Sequence, residues 1–268
     1  MTADLLHQLK ASRTYDLEQP RFAGMPIHES HKPGYFYALH RRHRDSFGGP
    51  MNGPRSGASG VLTMMEHSGT HIDALCHQAC GMELFGGKHP DQVETPAGFT
   101  ELGVETVAPL ITRGVLIDVA GHKKVERLPE LYSITAHDLE AALVHRPQPG
   151  DVLLVRTGFA SIWNDEAVYL RAAGMHKSAS IWAADHGVVA VGADNMAWDV
   201  PGERDPVSGA TLFGHLYLLP QKGIYIIENL DLEGLARDQQ TEFAFFCLPL
   251  KLRGATGSPV RPLALVGG

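Results

Sequence analysis

The 268-residue chain has only three cysteines, Cys76, Cys80 and Cys247. An odd, low count cannot build a disulfide framework and fits a reducing compartment. Cys76 and Cys80 also lack the Cys-x-x-Cys spacing of zinc ribbons and thiol oxidoreductases. Long apolar runs are missing. Stretches such as Gly187 to Ala193 and Phe243 to Leu250 fall far short of the ~18 residues of a membrane span, so no membrane partner is expected. The first residues mix Asp4, His7, Lys10 and Arg13 among leucines, which breaks the apolar stretch of a secretory signal and points to a cytoplasmic protein. A net charge of −7 without a basic block suits a phosphate backbone poorly. The small cluster Arg41-Arg42-His43-Arg44 reads as a solvated loop, and nucleic acid is not an expected partner. A phosphate-cradling Gly-rich loop, a Gly-x-Ser-x-Gly elbow and a dinucleotide fingerprint are all absent. The 29 glycines and 17 prolines are dispersed and mark no linker, so residues 1–268 are expected to form one domain around one core.

What the chain has in abundance is histidine, with 15 copies. Histidine is the commonest metal ligand and the usual acid or base near neutrality. Around it, short β-branched runs alternate with short helical patterns. Gly60–Met65, Gly114–Val119, Asp151–Arg156, Val188–Val191 and Gly223–Ile227 read as mostly buried strands. Thr135 is placed to cap a helix over Ala136–Val144, with Leu139, Leu143 and Val144 on one apolar face, and a second helix is expected over Ser178–His186. This alternation predicts an α/β domain with at least partly parallel strands. The region from Gly24 to Gly60 shows little periodicity and carries the aromatic cluster Tyr35-Phe36-Tyr37, so it reads as a lid, binding loop or interface arm. Such an arm is expected to pack against a second copy in a homo-oligomer, a dimer or tetramer, and to bring one of those aromatics near a cleft.

Chemistry concentrates in His67-Ser68-Gly69-Thr70-His71-Ile72-Asp73-Ala74-Leu75-Cys76-His77, directly after a predicted strand. Three imidazoles and a carboxylate in so short a segment supply the ligands that suit a divalent metal such as zinc or manganese. The glutamate of the His-Glu-x-x-His proteases is missing, so that reading fails. Gly69 lets the backbone curl so that His67, His71 and Asp73 can converge on one ion with positions left for water, the arrangement of a catalytic site. The alternative is a set of independent polar residues at a strand edge, with Asp73 capping a helix from Ala74. Burying such a cluster unsatisfied would be costly. Asp194-Asn195 and Asp199 form a further polar group that could hold a ligand imidazole by its other nitrogen or simply shape a turn. The scattered His28, His31, His40, His43, His89 and His186 read as structural or surface residues, and Trp163 and Trp182 as packing residues.

The same segment closely resembles the H-x-G-T-H-x-D-x-P-x-H signature of the metal-dependent cyclase superfamily, which includes bacterial kynurenine formamidase, isatin hydrolase and certain dienelactone hydrolases. The likeness extends through Tyr15-Asp16-Leu17, Gly24-Met25-Pro26, Gly150–Gly158, Val191–Asp194, Gly214-His215, Ile227–Leu230, Pro249-Leu250-Lys251 and Gly257–Pro262. Leu75 departs from it, standing where the signature has proline, which bears on the shape of the turn more than on metal binding.

The resemblance implies a swivelling β/β/α fold with a mixed sheet and an extended N-terminal loop region. It further implies that His67, His71 and Asp73 bind a first metal, zinc or manganese, and that His77 serves as catalytic acid/base or helps hold a second ion. His215 and Glu228 complete the site, Glu228 as a second ligand or a base. The implied activity is hydrolysis of a small cyclic amide or lactone by attack of metal-bound water. Arylformamidase activity on N-formylkynurenine, ring closure, and metal binding without turnover are the alternatives.

Overall fold

Apolar residues at Leu116, Ile117, Leu153, Leu154, Val191, Ile226 and Ile227 alternate between two buried clusters, one on each face of a sheet. Strands buried on both faces read as continuous apolar runs, which is why these segments were visible in the sequence. The computed structural model describes residues 2–46 and 53–267. Its main sheet has nine strands, in the order Arg13–Asp16, Leu263–Val266, Glu242–Cys247, Leu110–Asp118, Val152–Arg156, Ala190–Ala193, Tyr225–Glu228, His71–Asp73 and Gly257–Pro259. The four strands from Leu110–Asp118 to Tyr225–Glu228 are parallel, and the flanking pairs are antiparallel. The fold is therefore mixed α/β, as the alternation of patterns implied. No helix among the described residues is long and apolar enough to cross a membrane.

The helix after Thr135 is capped in both directions. The Thr135 hydroxyl accepts from Asp138 N at 3.3 Å, and Asp138 Oδ2 accepts from Thr135 N at 2.9 Å. The helix ends at Ala142, earlier than expected, so Val144 is 65% exposed rather than part of the apolar face. The helix expected over Ser178–His186 spans Lys177–Asp185. Trp163, Trp182 and Trp198 pack, and each indole N–H has an acceptor, in Pro20 O, Glu140 and the Ser180 hydroxyl respectively.

Two expectations need correction. The run Gly60–Met65 forms a strand, Ser59–Met64, but it is exposed along nearly its whole length. It pairs antiparallel with Tyr35–Arg41 in a two-stranded ribbon separate from the main sheet. An apolar run signals that something must cover it, without saying what does. The stretch read as aperiodic thus contains the strand Tyr35–Arg41 and the start of Ser59–Met64, together with a short turn over Glu29–His31 and a short helix over His43–Ser46. The Arg41-Arg42-His43-Arg44 cluster, read as a loop, therefore spans a strand end and a helix start. Residues 47–52, also within that stretch, lie outside the described residues. Of the aromatic cluster, Phe36 and Tyr37 are 56% and 53% exposed, Tyr35 packs against the core, and within the single chain none of the three lines the cavity beside His67 and His71.

Candidate metal centre

Strand register gathers the polar residues. His71 and Asp73 are two apart on one strand and so share a face. Glu228 sits directly opposite His71, and Ile226 opposite Asp73. Residues paired in this way place their side chains within about 5 Å of each other. His67 arrives from the loop before the strand, which turns at Gly69 with φ of +62°, a left-handed conformation glycine adopts at little cost. Arg21 clamps that loop, its two terminal nitrogens donating to Ser68 O and Thr70 O and its Nε to Glu18 at 2.9 Å. The Asn229 amide adds a donor to Gly69 O at 2.9 Å. His215 comes from the first turn of the short helix Phe213–Tyr217.

All six residues singled out in the sequence meet here. His67 Nδ1 is 2.8 Å from Asp73 Oδ1, and His71 Nε2 is 3.5 Å from the same oxygen and 3.4 Å from Glu228 Oε2. His215 Nε2 is 3.5 Å from Asp73 Oδ2 and 3.2 Å from Glu228 Oε1. The His77 ring stacks on His67, with centroids 3.9 Å apart. Donor atoms of His67, Asp73 and His77, and separately of His71, Asp73 and Glu228, fall within 4.8 Å of one another. Asp73 belongs to both groups and is their hinge.

The proton inventory of this cluster tests whether a cation fits. His71 Nδ1 lies 2.8 Å from Gly69 O, a pure acceptor, so its proton points there and the Nε2 lone pair faces the carboxylates. His215 Nδ1 lies 2.8 Å from Asp199 Oδ2 and is held in the same way. Asp199 also accepts the backbone N–H of Gly214 and His215, at 2.6 and 3.1 Å, so of the Asp194, Asn195 and Asp199 group it is Asp199 that orients a site imidazole. Lone pairs thus face the Asp73 and Glu228 carboxylates, and neither Asp73 Oδ2 nor Glu228 Oε1 accepts a directed hydrogen bond, despite being buried. Two buried carboxylate oxygens without a hydrogen-bond donor, in a medium that penalises charge of one sign, fit a cation. Nitrogen and oxygen donors of this mix suit zinc or manganese.

With no ion bound, the cluster's own protons supply part of that positive charge. Burial alone would raise Asp73, but the rings of His77, His215 and His67 hold it well below the usual carboxylate value. Burial and the Asp73 charge push Glu228 up to about 7. Burial opposes protonation of His67 and His215, yet the carboxylates around each raise both. Burial dominates at His71 and His77, which fall to about 3.

His77 differs from the other three. Among the described residues its ring's only hydrogen-bonding neighbour is the side-chain amide of Gln78, at 3.3 Å, so no carbonyl or carboxylate fixes the ring. His31, read as a structural or surface residue, is also at the site: its ring is 5.0 Å from that of His67 and 6.2 Å from that of His77. It stands on the Glu29–His31 turn, where no local periodicity marks it. His28, His31, Gln78, Ile27, Met196 and Leu212 help line a cavity of about 280 Å³ above the cluster. Asp194, by contrast, faces away and accepts from Thr157 N, the Thr157 hydroxyl and Gly158 N at 2.7 to 2.8 Å. His89 caps the helix Pro90–Val93, and His186 follows the helix Lys177–Asp185, where its Nδ1 meets Trp182 O.

The profile of the family described as Cyclase matches residues 14–200. Cyclase-like protein 3 of Oryza sativa subsp. japonica is 29% identical over 218 residues, covering 78% of this chain and 66% of that protein, so the chain spans just under two thirds of its length. A crystal structure described as a novel cyclase superimposes with a TM-score of 0.85 at 30% identity, over 98% of this chain and 89% of that one. Isatin hydrolase A from Ralstonia solanacearum shares the fold, with a TM-score of 0.71 at 23% identity over 99% and 95% of the two chains. With the His67 to His77 segment inside the matched stretch and the sheet shared along almost its whole length, the chain belongs to the Cyclase family.

Proposed function

We propose that the protein is a metal-dependent hydrolase that opens a small cyclic amide or lactone. The observation that carries this reading is the meeting of oriented imidazoles with two buried carboxylates, each of which has one oxygen without a hydrogen-bond donor. His67, His71, Asp73, His215 and Glu228 would hold one or two divalent ions. Zinc or manganese bound there lowers the pKa of a water and polarises a carbonyl.

The chain itself supplies binding and proton transfer. His77 lines the cavity and no carbonyl or carboxylate fixes its ring, so it is free to turn towards substrate and is the group assigned to take a proton from the attacking water. It returns that proton to the leaving nitrogen or oxygen as the carbon–nitrogen or carbon–oxygen bond breaks. In a ring substrate the carboxylate formed and the released amine or alcohol stay in one molecule. Ile27, Met196 and Leu212 give the cavity an apolar side, while His28, His31 and Gln78 give it polar contacts.

No lysine or arginine is among the described residues lining the cavity. This favours a compact neutral ring over N-formylkynurenine, which carries an amino-acid carboxylate. The kinship of fold with isatin hydrolase A points the same way. Metal-loaded enzyme assayed side by side should show a higher kcat/KM for isatin-like cyclic amides or small lactones than for N-formylkynurenine. Preference for the formamide would reverse the choice in favour of an arylformamidase.

The same proposal includes a homo-oligomer. Phe36, Tyr37, Leu39, Val61 and Leu62 of the ribbon are each about half exposed, and a two-stranded ribbon is marginal by itself. A second copy covering it would bury these side chains.

A further inference from the structure

His67 reaches the cluster differently from His71 and His215. Its Nδ1 faces Asp73 Oδ1 at 2.8 Å, while its Nε2 lies 2.7 Å from the Thr256 hydroxyl. That hydroxyl has one proton to give, and gives it to Glu66 Oε1, which also accepts the Thr256 backbone N–H at 3.1 Å. A hydroxyl whose proton is committed meets a ring nitrogen only as an acceptor. His67 therefore carries a proton on Nε2, and its Nδ1 is the atom offered to the carboxylates.

The surrounding chain is built to keep the ring there. Gly257 follows Thr256, and a Cβ at that position would stand 2.7 Å from His67 Cε1, so only glycine lets the strand Gly257–Pro259 run this close to the imidazole. Neither Glu66 nor Thr256 lines the cavity, which leaves them no route to substrate and makes His67 the group through which they act. The hydroxyl is itself polarised by the carboxylate behind it, which strengthens its hold on the Nε2 proton and makes Nδ1 a better donor to a cation.

We propose that Glu66 and Thr256 are positioning residues of the metal centre, a carboxylate–hydroxyl pair that fixes His67 so that it presents Nδ1 to the ion while His71 and His215 present Nε2. This rests on reading the cluster as a metal centre. It assigns a function to two residues that neither touch the ion nor face the cavity. It also makes the centre asymmetric, because one of its imidazoles is oriented through a partner from the C-terminal part of the chain.

Zinc affinity, measured by competition with a chromophoric chelator, and long-range proton–nitrogen NMR of the histidine rings test this on the whole chain. In the zinc-loaded wild type, His67 should show a protonated Nε2 and a zinc-bound Nδ1, with the reverse at His71 and His215. Thr256→Val, which keeps the shape and removes the acceptor, should weaken zinc binding by about 10- to 100-fold, with Thr256→Ser staying within about 3-fold of wild type. Glu66→Gln should fall between the two. A zinc-bound Nε2 at His67, or undiminished zinc affinity in Thr256→Val, would overturn the proposal. The wild-type tautomer is read without any substitution, so a variant that fails to fold leaves that arm decisive. A wild type that binds no zinc overturns the metal centre and the positioning pair together, whereas wild-type affinity in every variant overturns the pair alone.

Discussion

At the floor of the cleft the chain holds its own polar groups: His71 on Gly69 O, His215 on Asp199 and the Gly69 loop between Arg21 and Asn229. Along the ribbon Tyr35–Arg41 and Ser59–Met64 the situation is reversed, with apolar side chains turned to solvent and the two strands leaning chiefly on each other. The contrast separates two kinds of incompleteness. The floor is complete in shape but short of positive charge, so it calls for an ion. The ribbon pairs its two strands with each other but is short of apolar cover, so it calls for another surface. Binding at the first would leave the fold unchanged, while association at the second would build an assembly.

The largest effect should come from breaking the floor. His71→Ala removes a nitrogen that faces both carboxylates, and should lose the bound metal and reduce hydrolysis more than about 10³-fold, as should chelation. Metal analysis beside an activity assay checks this, and full activity in the chelated protein would refute it. Next is His77, whose ring is not held by an acceptor. His77→Ala should retain metal while kcat falls by about 10²–10⁴. Near-normal turnover would remove its role in proton transfer, and loss of metal would move it among the ligands.

A third prediction concerns the buried carboxylate just outside the floor. Burial pushes Asp194 up to about 6, against the donors from Thr157. Its folded value lies above its unfolded one, so the stability it contributes is complete below about pH 4 and is lost as the pH rises through about 6. Asp194→Asn does not titrate there. Its stability relative to wild type should therefore improve by about 2 kcal/mol between about pH 4.5 and pH 7.5 in denaturant titrations. A difference independent of pH would contradict this.

The smallest effect on chemistry should come from the ribbon. Replacing Phe36 and Val61 by serine should shift light scattering from an oligomer towards the 29.1 kDa chain while changing kcat by less than about 3-fold, since neither side chain lines the cavity. A wild type that is already monomeric at micromolar concentration would remove the case for a covered ribbon.

Much of the floor could be read from the sequence because its ligands are local. His67, His71, Asp73 and His77 fall within eleven consecutive residues, and a glycine between two of them signals the turn. His215 and Glu228 entered through resemblance, and register then explains Glu228, which pairs with His71. Thr256 remained hidden because it meets His67 across 189 residues, a contact set by strand order rather than by any local pattern. His31 was missed for a related reason, standing on a short turn without periodicity. The ribbon was misread because Gly60–Met65 has the composition of a core strand, and composition does not distinguish cover by the same chain from cover by another.

The central claim is that the five-residue cluster around Asp73 holds a cation, and elemental analysis of wild type and Asp73→Ala purified in parallel tests it most directly. Asp73 touches His67, His71 and His215, so its loss should empty the site. The wild type should contain at least about 0.5 equivalents of zinc or manganese and Asp73→Ala less than about a tenth of that. An active wild type with no divalent metal, or equal metal in both proteins, would contradict the account.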